Sequence, residues 1–489
     1  MAQAGQFKNM WVGGEEMDGE PGVAPLVSTN PATGEVNFEV AAAGTQAADT
    51  AVRNAHQAAT DRNWRTLPPA QRARILARIA DGMEARGHEL AQLQMLENGK
   101  VWRECEAQVK SAAATFRDYA AVCETTGSEV TPSRGDYLSM SVYEPYGVIA
   151  AITPWNSPMT MEAQKVAPAL AAGNAVVLKP SEITPSTALL LGRIAHEAGL
   201  PPGLLNVLPG TGQQVGAALV AHPLVRLVSF TGGTESGRRI AEVAARKLMP
   251  VALELGGKSQ HIVFNDASID AAVVALAGGI FEGSGQSCVS GSRAFVQRGV
   301  YAQVVDRLVA VARALRVDMP DAPGAEMGPL ATFAHRDRVA GMVDAARRAG
   351  ADILAGGARP SDGRLDRGAY YLPTVIAGID NRAAIAKQEI FGPVLCVIPF
   401  DDEDDLIAQA NDSAFGLASG IWTSDYQRAW RVARALEAGT VWINTYKQLS
   451  IATPFGGFKE SGIGREKGIG GMRLYQQPKG IFFGMGGAA

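Results

Sequence analysis

Between Glu144 and Lys258 the chain alternates short apolar runs with helical patterns, and few folds accommodate that rhythm. EPYGVIAAITPW, NAVVLKP, GLLNVLPG, RLVSF and PVALELGG read as strands. PMTMEAQKVAPALAAG, ITPSTALLLGRIAHEAG, GQQVGAALVAH and TESGRRIAEVAARK lie between them and carry apolar residues at helical spacing. In the second of these helices Thr184 reads as the N-cap, Pro185 as the first helical residue, and Gly199 falls just past the end. Continuous apolar strands linked by helices predict a parallel sheet covered on both faces, an α/β doubly wound architecture of the nucleotide-binding kind. Ligands in such sheets bind beyond the carboxyl ends of the strands.

The flanking regions extend the picture. Pro69 to Glu97 spaces Ile75, Leu76, Ile79, Met83, Leu90 and Leu93 as one helical stripe, with charged residues between. After Lys258 a second alternating block, HIVF, SRAFVQ, TVIAG, VLCVIPF, LASGIW and VWINT, predicts a second α/β domain. With 489 residues the chain exceeds what one core can hold. The tail from Tyr475 is glycine-rich yet contains GIFFG, an apolar patch that a partner chain could cover.

Several classes are excluded. A net charge of −4 gives no reason to expect nucleic acid or an anionic membrane. No apolar run approaches the roughly 20 residues of a spanning helix. The opening MAQAGQFKNMWVGG lacks the apolar core of a signal peptide. Cys105, Cys123, Cys288 and Cys396 form no CxxC pair and no metal-like spacing with histidine, so neither a disulfide framework nor a metal site is expected. A reducing, cytoplasmic setting fits.

Candidate chemistry sits at the ends of the predicted strands. No strict GxGxxG occurs. GTGQQVG and TGGTESG each follow a strand and open a helix whose free N–H groups could face phosphate, although either alone is as well read as a plain turn. Lys179-Pro180-Ser181-Glu182 ends a strand; Glu182 could accept from ribose hydroxyls, or the segment could be a solvated turn. Glu254 lies inside apolar VALEL, where a carboxylate needs a partner or a task. Asn156 on its own reads as a turn residue. GSGQSCVSG places Cys288 among small residues, equally a nucleophile or part of a tight loop. Cys123 and Cys396 lie in apolar surroundings and read as inert core.

Taken together, TPWNSP, KPSE, FTGGTESG, LELGGK, GQSCVSGSR, EIFGPV and PFGGFKESGIGRE, in this order, closely resemble the aldehyde dehydrogenase superfamily over essentially the whole chain. The resemblance implies a Rossmann-type cofactor domain (1–125 and 146–256), an α/β catalytic domain (257–470) and a small β oligomerisation arm (126–145 and 471–489). It implies NAD as cofactor, with NADP as a second option, a small aldehyde as substrate, and a homodimer or homotetramer. Cys288 matches the nucleophile, Glu254 the general base, Asn156 the oxyanion-stabilising amide, Lys165 a proton-relay lysine and Glu466 a carboxylate near a proton exit. The cofactor positions carried over are Ile152, Thr153, Pro154, Trp155, Lys179, Ser181, Glu182, Gly212, Gly216, Phe230, Gly232, Gly233, Ser236, Leu255, Glu389 and Phe391. The substrate tunnel maps to Ser157, Met161, Gln164, Glu282, Tyr446, Leu449 and Phe455.

Members acting on simple aldehydes often carry aromatics in the tunnel; this chain has Ser157, Gln164, Glu282 and Leu449 instead, which implies a polar substrate. Lys447 stands as the one candidate clamp for a carboxylated semialdehyde, the alternative substrate class. A silent NAD-binding structural protein is the other reading. Retention of Cys288, Glu254 and Asn156 together argues against it. A helix N-terminus, backbone dipoles and the cofactor's positive ring are expected to raise the thiolate fraction of Cys288.

Overall fold

The structure, a computed structural model, describes residues 8–361 and 363–486. Two parallel sheets organise it. The first is built from β1 (Val148–Ile152), β2 (Ala175–Lys179), β3 (Leu205–Val207), β4 (Val225–Thr231) and β5 (Val251–Glu254). Their spatial order is β3-β2-β1-β4-β5, all parallel, so the order reverses beside β1. All five residues of β1 and of β2 are buried, as expected of strands covered on both faces. Antiparallel strands cap the edges: Met10–Val12 beside β3, and Gly462–Ile463 beside β5.

The second sheet runs through β6 (Gln260–Val263), β7 (Arg293–Gln297), β8 (Asp352–Ala355), β9 (Thr374–Ala377), β10 (Val394–Phe400), β11 (Ala418–Trp422) and β12 (Thr440–Ile443). Its order is β8-β9-β10-β7-β6-β11-β12, parallel except at β8. Six of these strands follow the apolar runs of the sequence; β8, short and half exposed, lacks such a run.

Four helices matter for the site. They are α1 (Trp102–Thr125), α2 (Pro158–Ala171), α3 (Ser186–Glu197) and α4 (Thr234–Arg246). Helix α2 starts with Pro158, whose missing N–H costs nothing there, and is buried along most of its length. The expected cap of α3 needs correction. Thr184 does not cap it; its hydroxyl has no partner among the described residues. The buried Glu97 carboxylate, arriving from a distant helix, accepts from the Ser186 N–H at 3.3 Å and its hydroxyl at 2.8 Å. An acceptor supplied across the fold has replaced the local one, which no local pattern can announce.

The run EPYGVIAAITPW is also divided. Tyr137–Pro145 is a separate strand that pairs antiparallel with Gln476–Gly484, and Gly147, at φ +114°, separates it from β1. The glycine-rich tail is thus largely strand, with Phe482 and Phe483 exposed. No described helix is long and apolar enough to cross a membrane.

Candidate active site

Past the helix Ile269–Phe281 the chain folds through a tight turn before Cys288. Gly285 holds φ +71°, and a Cβ there would stand 2.1 Å from the Gly392 carbonyl oxygen. Gly257 is pressed as closely from the other direction, where a Cβ would lie 2.2 Å from the Cys288 carbonyl oxygen. These two glycines let three segments meet at the sulfur. The backbone N–H groups of Cys288 and Val289 lie near enough to Sγ to favour its charged form. The Val289 carbonyl accepts from the Tyr446 hydroxyl at 2.9 Å. The Tyr446 ring stacks on His261 at 4.0 Å, and His261 Nε2 accepts from the Trp422 indole N–H at 2.9 Å. The nucleophile candidate therefore rests on a packed aromatic floor.

Its electrostatics differ from the sequence expectation. Burial pushes the Cys288 thiol up to about 12, the nearby Glu254 and Glu389 carboxylates add to the shift, and the two backbone N–H groups oppose it. No helix begins at Cys288; it sits in a turn, so no helix dipole favours the thiolate. The side chain is enclosed by the fold but still reaches an internal cavity.

Glu254 closes β5 and is buried. Burial, then the neighbouring Glu466 charge, hold its carboxyl well above the ordinary range, while Lys165, Arg465 and Lys467 pull the other way. Its Oε2 has no hydrogen-bond partner among the described residues. Behind it, Lys165 on α2 donates to Glu466 Oε1 at 2.7 Å, with both side chains essentially inaccessible. Lys165 also donates to Ser229 Oγ at 3.1 Å, and the Tyr475 hydroxyl donates to the same oxygen at 3.0 Å. Lys467 Nζ stands 5.3 Å from the centre of the Phe455 ring.

One cavity of about 530 Å³ joins these parts. Cys288, Glu254 and Asn156 all line it. Asn156 precedes α2; one amide hydrogen goes to the Gln286 carbonyl at 2.8 Å, which leaves the other available. From the expected cofactor set, Pro154, Trp155, Gly232, Gly233, Leu255, Glu389 and Phe391 line the same cavity. Phe391, at φ +59°, meets Trp155 edge-on at 5.4 Å. Glu389 accepts from the Gly257 N–H at 2.9 Å. From the expected tunnel set, Ser157, Met161, Gln164, Leu449 and Phe455 line it as well.

The remaining cofactor candidates surround the carboxyl ends of the first sheet. Lys179 is buried at the end of β2, and its Nζ lies 3.2 Å from Glu182 Oε2. Burial lowers the Lys179 ammonium from its ordinary range, and Glu182 opposes that. Gly216 approaches the Lys179 stem. Ser181 is buried and accepts from the Ile183 N–H. Ile152 and Thr153 are buried where β1 ends, and the Phe230 ring lies under Gly232. Ser236 is exposed on the first turn of α4. A Cβ at Gly212 or Gly233 would meet nothing within 4 Å, so both loops face open space. Unpartnered buried hydroxyls at Thr153 and Thr231 border the same edge. An extended dinucleotide fits this donor-rich, glycine-lined rim.

Among the catalytic and substrate-side candidates, four do not line the cavity. Tyr446 is turned beneath the cysteine turn, its hydroxyl already used. Glu282 is half exposed and faces Lys447 at 3.8 Å. Lys447 donates to the Gly278 carbonyl at 3.1 Å, so it is no free clamp. Lys165 lies behind the wall, paired to Glu466, which itself lines the cavity. Side-chain direction, which spacing alone does not carry, separates these from their neighbours. Conversely, sequence reasoning passed over His335, Arg338, Gln108 and Lys467, all of which line the cavity. Only Lys467 had a signal, its position next to Glu466; the others arrive from helices without a distinctive motif.

The chain is similar to known proteins over nearly its whole length. The profile of the Aldehyde dehydrogenase family matches residues 20–481. A betaine aldehyde dehydrogenase of Mesorhizobium japonicum is 42% identical over 481 residues, covering 98% of each chain. Among solved structures, PnpE in complex with nicotinamide adenine dinucleotide, a protein of Pseudomonas sp. WBC-3, superposes with TM-score 0.96 at 37% identity, covering 99% of this chain and 98% of that one. A betaine aldehyde dehydrogenase point mutant from Staphylococcus aureus, bound to NAD and carrying a BME-modified cysteine, gives TM-score 0.96 at 36% identity, covering 99% and 97%.

Proposed function

The chain belongs to the aldehyde dehydrogenase family, and from that premise we propose that it oxidises a polar aldehyde to the carboxylic acid by covalent catalysis at Cys288, with Glu254-assisted hydrolysis. The observation that carries this reading is the meeting of Cys288, Asn156 and Glu254 in one cavity.

NAD is the cofactor. When bound it supplies the acceptor for the hydride that the substrate carbon gives up. Lys179 and Glu182 would hold the adenosine ribose, the Gly212 and Gly233 loops the phosphates, and Glu389 with Phe391 the nicotinamide ribose. Glu182 favours NAD, because a carboxylate there repels a 2′-phosphate; NADP remains a second acceptor.

Cys288 gives its thiol proton to Glu254, and Sγ bonds to the carbonyl carbon of the aldehyde. The carbonyl π electrons move to oxygen, which accepts from the free Asn156 N–H and the Cys288 N–H. Removing one such donor typically costs roughly 100- to 1,000-fold in rate. Oxidation leaves an acyl thioester on Cys288. The Lys165–Glu466 pair receives the proton held by Glu254, and the carboxylate then takes a proton from water. The water oxygen bonds to the thioester carbon, the C–S bond breaks, and sulfur leaves as thiolate. A raised Glu254 pKa makes this carboxylate a stronger base than an ordinary exposed one.

The chain divides on this reading into a cofactor domain (1–125 and 146–256), a catalytic domain (257–470) and an arm (126–145 and 471–489). The arm's exposed Phe482, Phe483 and Val130 offer an apolar face to a second copy of the chain, so a dimer or tetramer is expected. The test is NADH absorbance with NAD and a panel of aldehydes. Signal that Cys288→Ala abolishes is expected; turnover that survives that substitution rejects the covalent reading.

A further inference from the structure

Charge in the cavity is concentrated at the reacting end and beside Glu389, where Arg338 is committed to the Glu389 and Ile390 carbonyls at 3.1 and 3.4 Å, and the wall that carries Gln164 and Gln108 is polar without being charged. Gln164 is only 7% exposed and lines the cavity, yet its amide has no hydrogen-bond partner among the described residues. Gln108 on α1 donates to Ser157 Oγ at 3.2 Å, which leaves Gln108 Oε1 buried and unpartnered. Buried amides without partners are costly, and protein interiors rarely keep them without a reason. The enclosed Gln108 Oε1, and the Gln164 amide that opens into the cavity without a protein partner, point to a ligand that completes their hydrogen bonds.

The same wall specifies what the ligand lacks. A carboxylate brought here would lose its hydration without gaining a counter-charge. Lys447 is committed to Gly278 and Glu282 outside the cavity. Lys467 is held over the Phe455 ring, where Glu466 and Glu254 already offset its charge. A quaternary ammonium needs aromatic faces or acids around it. Here Met161 and Leu449 flank the glutamines, and the Phe455 face already carries Lys467.

Resting on the aldehyde-oxidising reading above, we propose that the substrate is a neutral aldehyde whose far end carries a hydroxyl or carboxamide group, paired with Gln164 and Gln108. Both amides donate and accept, so either group suits them.

The test uses the full chain with NAD and a set of four-carbon aldehydes. These differ only at the far end: hydroxyl, carboxamide, carboxylate, trimethylammonium or methyl. The expected kcat/KM for the hydroxyl and carboxamide compounds exceeds that of the two charged ones by about tenfold or more, as sites built to pair a polar group discriminate strongly. Gln164→Leu and Gln108→Leu should each lower the hydroxyl-to-methyl ratio of kcat/KM about tenfold, mainly through KM. If the carboxylate or trimethylammonium compound is preferred, or the methyl compound matches the hydroxyl one, the inference is overturned while aldehyde oxidation stands. If no aldehyde yields Cys288-dependent NADH, both readings fall together.

Discussion

The inner and outer ends of the cavity manage polarity in opposite ways. At the inner end Glu254, Glu466, Lys165 and Lys467 are packed close enough to shift or offset one another, and Lys165–Glu466 is a direct 2.7 Å pair. At the outer end Gln164, Gln108 and Ser157 carry no charge, and part of their hydrogen-bonding capacity is unused. Buried charges are tolerated where protons must move, because the same low dielectric that makes them costly makes their couplings strong. Neutral donors suffice where a molecule has only to be recognised.

The contrast can be broken from the inside outward. Cys288→Ala removes the bond-forming atom, and kcat should fall roughly 10⁴-fold or more, as for other covalent nucleophiles; steady-state NADH production measures it. Glu254→Gln removes the base of both half-reactions and should slow the NADH burst as well as steady-state turnover, the latter roughly 100- to 10,000-fold, the range of a positioned general base. An unchanged steady state in stopped-flow would remove Glu254 from deacylation. Lys165→Met strands Glu466 in a buried site and should cost about 3–5 kcal/mol of stability. Denaturant unfolding of the single and the Lys165→Met, Glu466→Leu double variant measures this, and a double variant more stable than the single one is expected.

Two pH effects follow, with smaller amplitude. Cys288 is pushed up to about 12, so alkylation of the enzyme without NAD should rise about tenfold per pH unit from 7 to 9 with no plateau. A plateau below pH 8 contradicts the buried-thiol environment. Glu97 is raised by burial to about 8, so the folded chain holds a proton there that the unfolded chain has released above the ordinary carboxyl range. That stability is complete at acidic pH and is lost as pH rises toward 8. Glu97→Gln should flatten this decline in thermal melts.

The two ends also differ in how legible they were. The inner end follows from a few short motifs because its bond-making partners sit at or just past strand ends: Glu254 closes β5, and Asn156 follows β1. The alternation that reveals the strands therefore also locates the chemistry. Cys288 was found by its surroundings, but its thiol shift was not, since that depends on burial by the folded chain and then on the carboxylates of Glu254 and Glu389. The outer end was only half legible. Ser157, Met161, Gln164 and Leu449 reach the cavity, whereas Tyr446 and Glu282 turn away, and Gln108 enters from α1 without any local mark. In the fold, Thr184 and the split at Gly147 show the same limit, because a cap from Glu97 and a pairing with residues 476–484 are both non-local.

The Lys165–Glu466 pair joins residues 301 positions apart. A growing chain therefore places a lysine in the interior long before its carboxylate has been synthesised. Until residue 466 leaves the ribosome, the first sheet lacks its Gly462–Ile463 edge, the Lys165 ammonium lacks its carboxylate, and Glu254 lacks the pair that would take its proton. Cys288 is translated before Glu466, so the proton path behind Glu254 is completed only when the last part of the chain has been made.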